Sequence, residues 1–332
     1  MSKNNNSHKA AKISLTVILL GIFVFVSIIA LQFNKVKELF GLTSEKGTYM
    51  TILEEPDIGT SFENSKQTMV QIHIYTDLTG TVYEGSTDAD VADAYVADTD
   101  DTDTDISDTI DTDADSAIDG QKEQIVNPRI TDSEIYGSFG SGSIWEYDKD
   151  SILVVTNYHV ISPVVTKDAL GYAVFYNGVI SEFEVAAFDP NIDCAFLLID
   201  ASCMDEEQLL NLRCVYPYDM DEDVTGLVAE QSMFVVHSKE ISRSDMVDGN
   251  TLNMIADTSY AGYIMEPSVY VSALLQDMLY CKCSADAGMS GGPTFDAYGH
   301  YIGMLTGATD TGETVSVVLS DIEEVYDQIG ER

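Results

Sequence analysis

Apolar and polar positions along this chain fall into three textures, and each predicts a different element. From Ile13 to Phe33 the run ISLTVILLGIFVFVSIIALQF holds no charged residue. About 20 apolar residues in a helix cross the hydrocarbon core of a bilayer, so a single transmembrane helix is predicted over 13–33. Met69–Tyr75 instead alternates apolar and polar side chains, the period of a half-buried strand, with His73 on the polar phase and expected at the surface. Beyond about Ile130, short apolar and β-branched runs recur between turn signals. Candidate strands are Tyr136–Trp145, Ile152–Thr156, Tyr172–Tyr176, Ile180–Phe188, Ala195–Ile199, Leu227–Val236, Thr251–Ile255, Met278–Cys283, Tyr301–Leu305 and Thr314–Leu319. Many short strands with few helices predict an all-β barrel or sandwich. One helix is predicted from Ser320, where Ser320-Asp321-Ile322-Glu323 has the form of a capping box.

The uncharged run divides the chain. Residues 1–12 are polar and carry Lys3, Lys9 and Lys12, while 34–62 are mixed and read as a stalk. A cleaved signal peptide ending at Ala30 competes with a membrane anchor. Its apolar region would be unusually long, and Ile28 is not the small residue preferred near a cleavage site, so an uncleaved signal anchor is the reading adopted. Lys35, Lys37 and Lys46 match the lysines on the other side, and the positive-inside rule barely decides. Long domains translocate largely regardless of charge. Residues 1–12 are therefore expected in the cytoplasm and the large C-terminal part, 63–332, outside it.

Charge changes the picture in one segment. The chain holds 56 acidic and 16 basic residues, a net charge of -40, which repels nucleic acid and anionic lipid headgroups and sets nucleic-acid binding aside. Much of this is local, because Glu84 to Gly120 contains no lysine or arginine and repeats aspartate with threonine and alanine. High charge with little hydrophobicity predicts disorder over about 84–128. Asp111, Asp113, Asp115 and Asp119 have some of the spacing of a calcium loop. Ser116 stands where the loop needs glycine and Lys122 where it needs glutamate, so a calcium-dependent binding protein is a minor reading. No metal or other cofactor is expected. Five cysteines cannot all pair, and no CxxC or zinc-like spacing occurs, which predicts mostly free, buried thiols and leaves a Cys203–Cys214 bridge open.

Candidate chemistry centres on Gly288-Met289-Ser290-Gly291-Gly292-Pro293. Glycine permits sharp turns and close approach, so this loop can hold Ser290 as a nucleophile with backbone N–H groups pointing into the same space. Taken alone it is an ordinary glycine-rich turn. A base and an acid stand earlier. The strand Ile152–Asn157 delivers His159 at its end, and Asp193 precedes the apolar run Cys194–Leu198. An ionised aspartate only accepts hydrogen bonds, and a histidine N–H is a natural donor. The order His159, Asp193, Ser290 is one of the known orders of the convergent Ser-His-Asp device.

With these motifs assembled, the chain resembles trypsin-like serine proteases of the HtrA/DegP type. The resemblance is carried by Gly140-Ser141-Gly142, Thr156-Asn157-Tyr158-His159-Val160, Asp189-xxx-Asp193-Cys194-Ala195, Gly288–Pro293 and Tyr301-Ile302-Gly303. It implies two perpendicular β-barrels with the site between them and a C-terminal helix, His159 and Asp193 on the first barrel and Ser290 on the second. It also implies an oxyanion hole from the N–H groups of Gly288 and Ser290, and a specificity pocket walled by Ser284, Ala285, Leu305, Thr306 and Gly307. Ser284 at the pocket base argues against a preference for lysine or arginine and for small or medium apolar side chains. The acidic tract becomes an insertion within the protease domain. Met289 departs from the asparagine usual in the family, and the PDZ domain common there is not expected.

The expected function is thus a single-pass membrane serine endopeptidase, its domain outside the cytoplasm, acting on unfolded or extended polypeptides in protein quality control or envelope stress. Relatives of this type are often trimers, so a homo-oligomer is an implied partner state. The rival reading is a catalytically inactive, peptide-binding or stress-sensing relative.

Overall fold

The computed structural model describes residues 47–77, 135–167, 169–221, 224, 226–309 and 311–330. The expected transmembrane span 13–33 and acidic tract 84–128 lie outside the described residues, and among those described no helix is long and apolar enough to cross a membrane. The strands are β1 (Met69–Asp77), β2 (Ile135–Tyr147), β3 (Ser151–Thr156), β4 (Leu170–Phe175), β5 (Ile180–Glu182), β6 (Glu184–Asp189) and β7 (Cys194–Asp200), followed by β8 (Ser232–His237), β9 (Thr258–Val271), β10 (Gln276–Lys282), β11 (Pro293–Asp296), β12 (Tyr301–Thr309) and β13 (Glu313–Val318). The run Thr251–Ile255, expected as a strand, forms turns instead, and the strand begins at Thr258.

The strands sort into two halves along the chain. The second half is a closed barrel in the order β10-β13-β12-β11-β8-β9. The first is a seven-stranded sheet, β5-β4-β1-β2-β3-β7-β6, so of the two perpendicular β-barrels expected the second closes and the first stays an open sheet. The edge strands β5 and β6 are consecutive in sequence, separated by Phe183 alone. The chain therefore bends at Phe183 and leaves β4 for β7, joining the two edges by continuity rather than by hydrogen bonds. Phe183 is buried against Gly171, whose missing side chain makes the room.

Several strands read as unbroken apolar runs because both of their faces are covered. In β3, Ile152 and Val154 belong to the interior of the first half, while Leu153 and Val155 face a second cluster that also holds Phe234, Phe295 and Val317 of the barrel. In β8 the same alternation puts Met233 and Val235 inside the barrel and Phe234 and Val236 in the shared cluster. Trp145 sits in that shared layer, edge-on to Phe196 and Tyr301 and tilted against Tyr326. Tyr326 comes from the C-terminal helix Leu319–Gly330, which packs on β6, β7, β12 and β13 and so spans both halves. That helix starts one residue earlier than expected, and Ser320 bonds to Asp321 rather than forming the capping box.

Two further expectations are corrected. The described part of the expected stalk, 47–62, packs onto the domain. Met50 is buried, Met50 N–H and Asp57 N–H donate to Cys214 and Ala297, and the helix Ile58–Ser65 follows, its Ser61 bonded to Ala297. His73 is buried rather than exposed, bonded to the buried Gln71 and stacked between Tyr75 and Phe139. The polar phase of β1 faces Gln71's partners Lys239 and Ile241, not water. Asp77 pairs directly with Ile135, so the acidic tract leaves and returns at neighbouring strand ends. None of the five cysteines forms a disulfide, and burial pushes the Cys281 and Cys283 thiols up to about 12 and about 11, which keeps them as inert core residues.

Candidate active site

His159 does not end a strand, as the sequence suggested. β3 stops at Thr156, Asn157 turns the chain, and His159 lies in the first turn of the helix Tyr158–Lys167. Val160 and Ile161 bury one side of that helix, leaving His159 half-exposed above it. Asp193 closes the turn between β6 and β7, whose ends Asp189 and Cys194 pair. Asp189 caps this turn by accepting the Asn191 N–H at 2.8 Å. Asp193 has φ 58, a left-handed conformation in which aspartate and asparagine are enriched.

That turn aims the Asp193 carboxylate at the histidine twice. Oδ1 accepts the His159 backbone N–H at 2.8 Å, and Oδ2 lies 2.8 Å from Nδ1 of the ring. A carboxylate can only accept, so Nδ1 carries the proton and Nε2 of the neutral ring is left as the acceptor. The arrangement orients an imidazole for proton transfer on its far side.

Ser290 sits on the loop between β10 and β11, held to the first half by two bonds. Ser141 N–H donates to the Ser290 carbonyl at 2.8 Å and Ser141 Oγ to the Gly288 carbonyl at 2.8 Å, while Thr156 Oγ1 steadies Ser141 from β3 by donating to its carbonyl at 2.7 Å. Gly288 and Gly291 both have φ +83, which L side chains rarely adopt. A Cβ on Gly288 would enter the Phe139 ring, and one on Gly291 would overlap the Ser141 carbonyl and Thr156 Oγ1. Backbone of the two halves therefore meets at the loop. Among the described residues the N–H groups of Gly288 and Ser290 have no acceptor, whereas Met289 and Gly291 N–H donate to Asp286 and Leu305.

Met289 points inward. It is buried among Ile264, Cys281, Cys283 and Leu305, and its sulfur accepts the Asp286 N–H at 3.1 Å. Asp286 is tied in turn to Tyr260 Oη at 2.5 Å, a bond that pushes the tyrosine up to about 12. Of the expected pocket residues, Ser284 is exposed, and Ala285, Thr306 and Gly307 are partly buried. Leu305 is turned into the barrel interior, so its side chain supports the loop from beneath instead of walling a pocket.

Ser290 Oγ donates to the Thr306 carbonyl at 3.4 Å, and among the described residues no hydrogen bond joins it to His159. Thr306 Oγ1 accepts from Asn157 Nδ2 at 2.9 Å, and the same amide donates to the Asp193 carbonyl at 2.9 Å. Sequence reasoning assigned no role to the Asn157 side chain or to Ser141. Their positions inside the Gly140–Gly142 and Thr156–Val160 motifs were the only signal.

The sequence matches the family described as trypsin-like peptidase domain over residues 140–304. No curated protein matches it. Among solved structures, the crystal structure of Deg5 is 17% identical, with 78% of this chain and 88% of that chain covered and a TM-score of 0.45. The matched span, just under half of the chain, contains His159, Asp193 and Ser290, and over it the chain is similar to trypsin-like peptidase domains.

Proposed function

We propose that this protein is a membrane-anchored serine endopeptidase of the HtrA type that cleaves unfolded or extended polypeptides outside the cytoplasm. The observation that carries the reading is the doubly bonded His159–Asp193 pair in a domain whose Ser290 loop leaves two N–H groups without acceptors among the described residues. Ser290 Oγ attacks the peptide carbonyl, and His159 Nε2 takes its proton and returns it to the leaving amine. Asp193 holds the ring and stabilises the imidazolium. The Gly288 and Ser290 N–H groups receive the developing oxyanion, a contribution of about 3 kcal/mol per donor in comparable sites. Hydrogen bonds in resting sites are often long and tighten with substrate, so the present Ser290–Thr306 contact suits a resting state. The membrane anchor rests on the uncharged run 13–33, and a role in quality control or envelope stress rests on the family resemblance.

The same contact favours a second reading, an inactive peptide-binding relative, because Ser290 points at Thr306 rather than at the base. The two readings part on one experiment. The full-length protein should digest denatured casein and label with a fluorophosphonate, and Ser290→Ala should do neither. Equal digestion by both proteins, or no labelling of the wild type, refutes the protease reading.

A further inference from the structure

The Asn157 side chain is fully buried where the two halves of the molecule meet. Its Nδ2 donates to the Asp193 carbonyl and to Thr306 Oγ1, each at 2.9 Å, while its Oδ1 is buried without a partner among the described residues. The Asp193 carbonyl can only accept, so the amide nitrogen must face it and the orientation of the carboxamide is settled by chemistry. Both ends of this bridge lead to the proposed catalytic groups. On one side Asp193 is held at φ 58 while its carboxylate grips His159 twice. On the other, the Thr306 backbone carbonyl receives Ser290 Oγ.

We propose that Asn157 is a positioning residue that couples the His159–Asp193 pair of the first half to the Ser290 strand of the barrel. The inference rests on the protease reading given above. A left-handed conformation is sparsely populated by residues other than glycine, and it persists only where its surroundings determine it. The Asn157 bond to the Asp193 carbonyl supplies that restraint, and the bond to Thr306 sets the restraint relative to β12. Among the described residues no other side chain bonds both to the backbone of the acid and to the strand beside the nucleophile.

The test uses full-length protein carrying Asn157→Ala, Thr306→Val, both together, and Thr306→Ser. Peptide hydrolysis is resolved into kcat and KM, and the hydrogen-bonded His159 Nδ1 proton is followed by NMR. Small misplacements of reacting groups cost up to about 100-fold in rate. Asn157→Ala should therefore lower kcat about 10- to 100-fold with KM within about twofold, and should weaken or broaden the Nδ1 proton signal. The double variant should be no slower than the slower single one, because both remove one link, and Thr306→Ser, which keeps the hydroxyl, should recover most of the kcat that Thr306→Val loses. Wild-type kcat in Asn157→Ala, multiplying losses in the double variant, or an unchanged Nδ1 signal overturns the inference. An inactive wild type would refute the protease reading alone, since the NMR signal still reports whether Asn157 holds the pair.

Discussion

Gly291→Ala should be far more damaging than its backbone conformation explains, and Gly312 provides the control. The two glycines share a left-handed φ, +83 and +75, but a Cβ on Gly312 meets only Ser284 Oγ, at an ordinary 3.6 Å. Gly312→Ala should therefore cost only the backbone penalty, about 1–2 kcal/mol. At Gly291 the added carbon meets the Ser141 carbonyl, Thr156 Oγ1 and the Asn157 nitrogen, two of them backbone atoms that cannot rotate away. Relieving the overlap means parting the loop from β2 and β3 at the bond from Ser141 N–H to the Ser290 carbonyl. One such bond contributes about 1 kcal/mol, and overpacking typically adds about 1–3 kcal/mol. The extra cost is thus about 2–4 kcal/mol, and at about 2–4 °C per kcal/mol for a domain of this size the difference in Tm is large. Thermal unfolding followed by circular dichroism on the two variants measures it directly. A Tm for Gly291→Ala no lower than that of Gly312→Ala would show that the halves do not meet at this loop as described.

Burial lowers the His73 pKa from 6.5 to about 4, so the fold holds this ring neutral. The unfolded chain binds the proton first as pH falls, so the stability present above about 6.5 is lost progressively toward pH 4. Urea unfolding at pH 7 and pH 4.5 should show a smaller acid loss in His73→Gln than in the wild type, by about 2–3 kcal/mol at most; an equal loss refutes the assignment. Replacing 84–128 by a short glycine-serine linker should leave Tm nearly unchanged, because β1 and β2 pair up to Asp77 and Ile135 and closure entropy varies slowly with loop length. Loss of cooperative unfolding in that variant would make the acidic tract structural. If the tract attracts cationic substrates, its removal should slow cleavage of a basic unfolded protein at low salt but not at high salt, where exposed charges are screened beyond about 8 Å.

The local patterns carried much of this protein. Alternation in Met69–Tyr75, the β-branched run before Asn157 and the apolar run after Asp193 all became strands within a residue or two, because strand periodicity and turn residues act over short distances. The motifs around His159, Asp193 and Ser290 were legible for the same reason: each is a short stretch whose glycines, turns or acid must stand together. What periodicity could not show was which polar phase meets water. His73 and Gln71 occupy the face of β1 that alternation assigns to solvent, and only the arrival of the 239–241 segment buries them. Residues 47–57 lack a strand-like pattern because they are held by an isolated bridge at Cys214 and by bonds to Tyr147, Tyr298 and Ala297, partners distant in sequence. The bend at Phe183 and the Asn157 bridge belong to the same class. Each depends on groups far apart in the chain that come within hydrogen-bonding or packing distance only after both halves have folded, and no local spacing encodes that meeting.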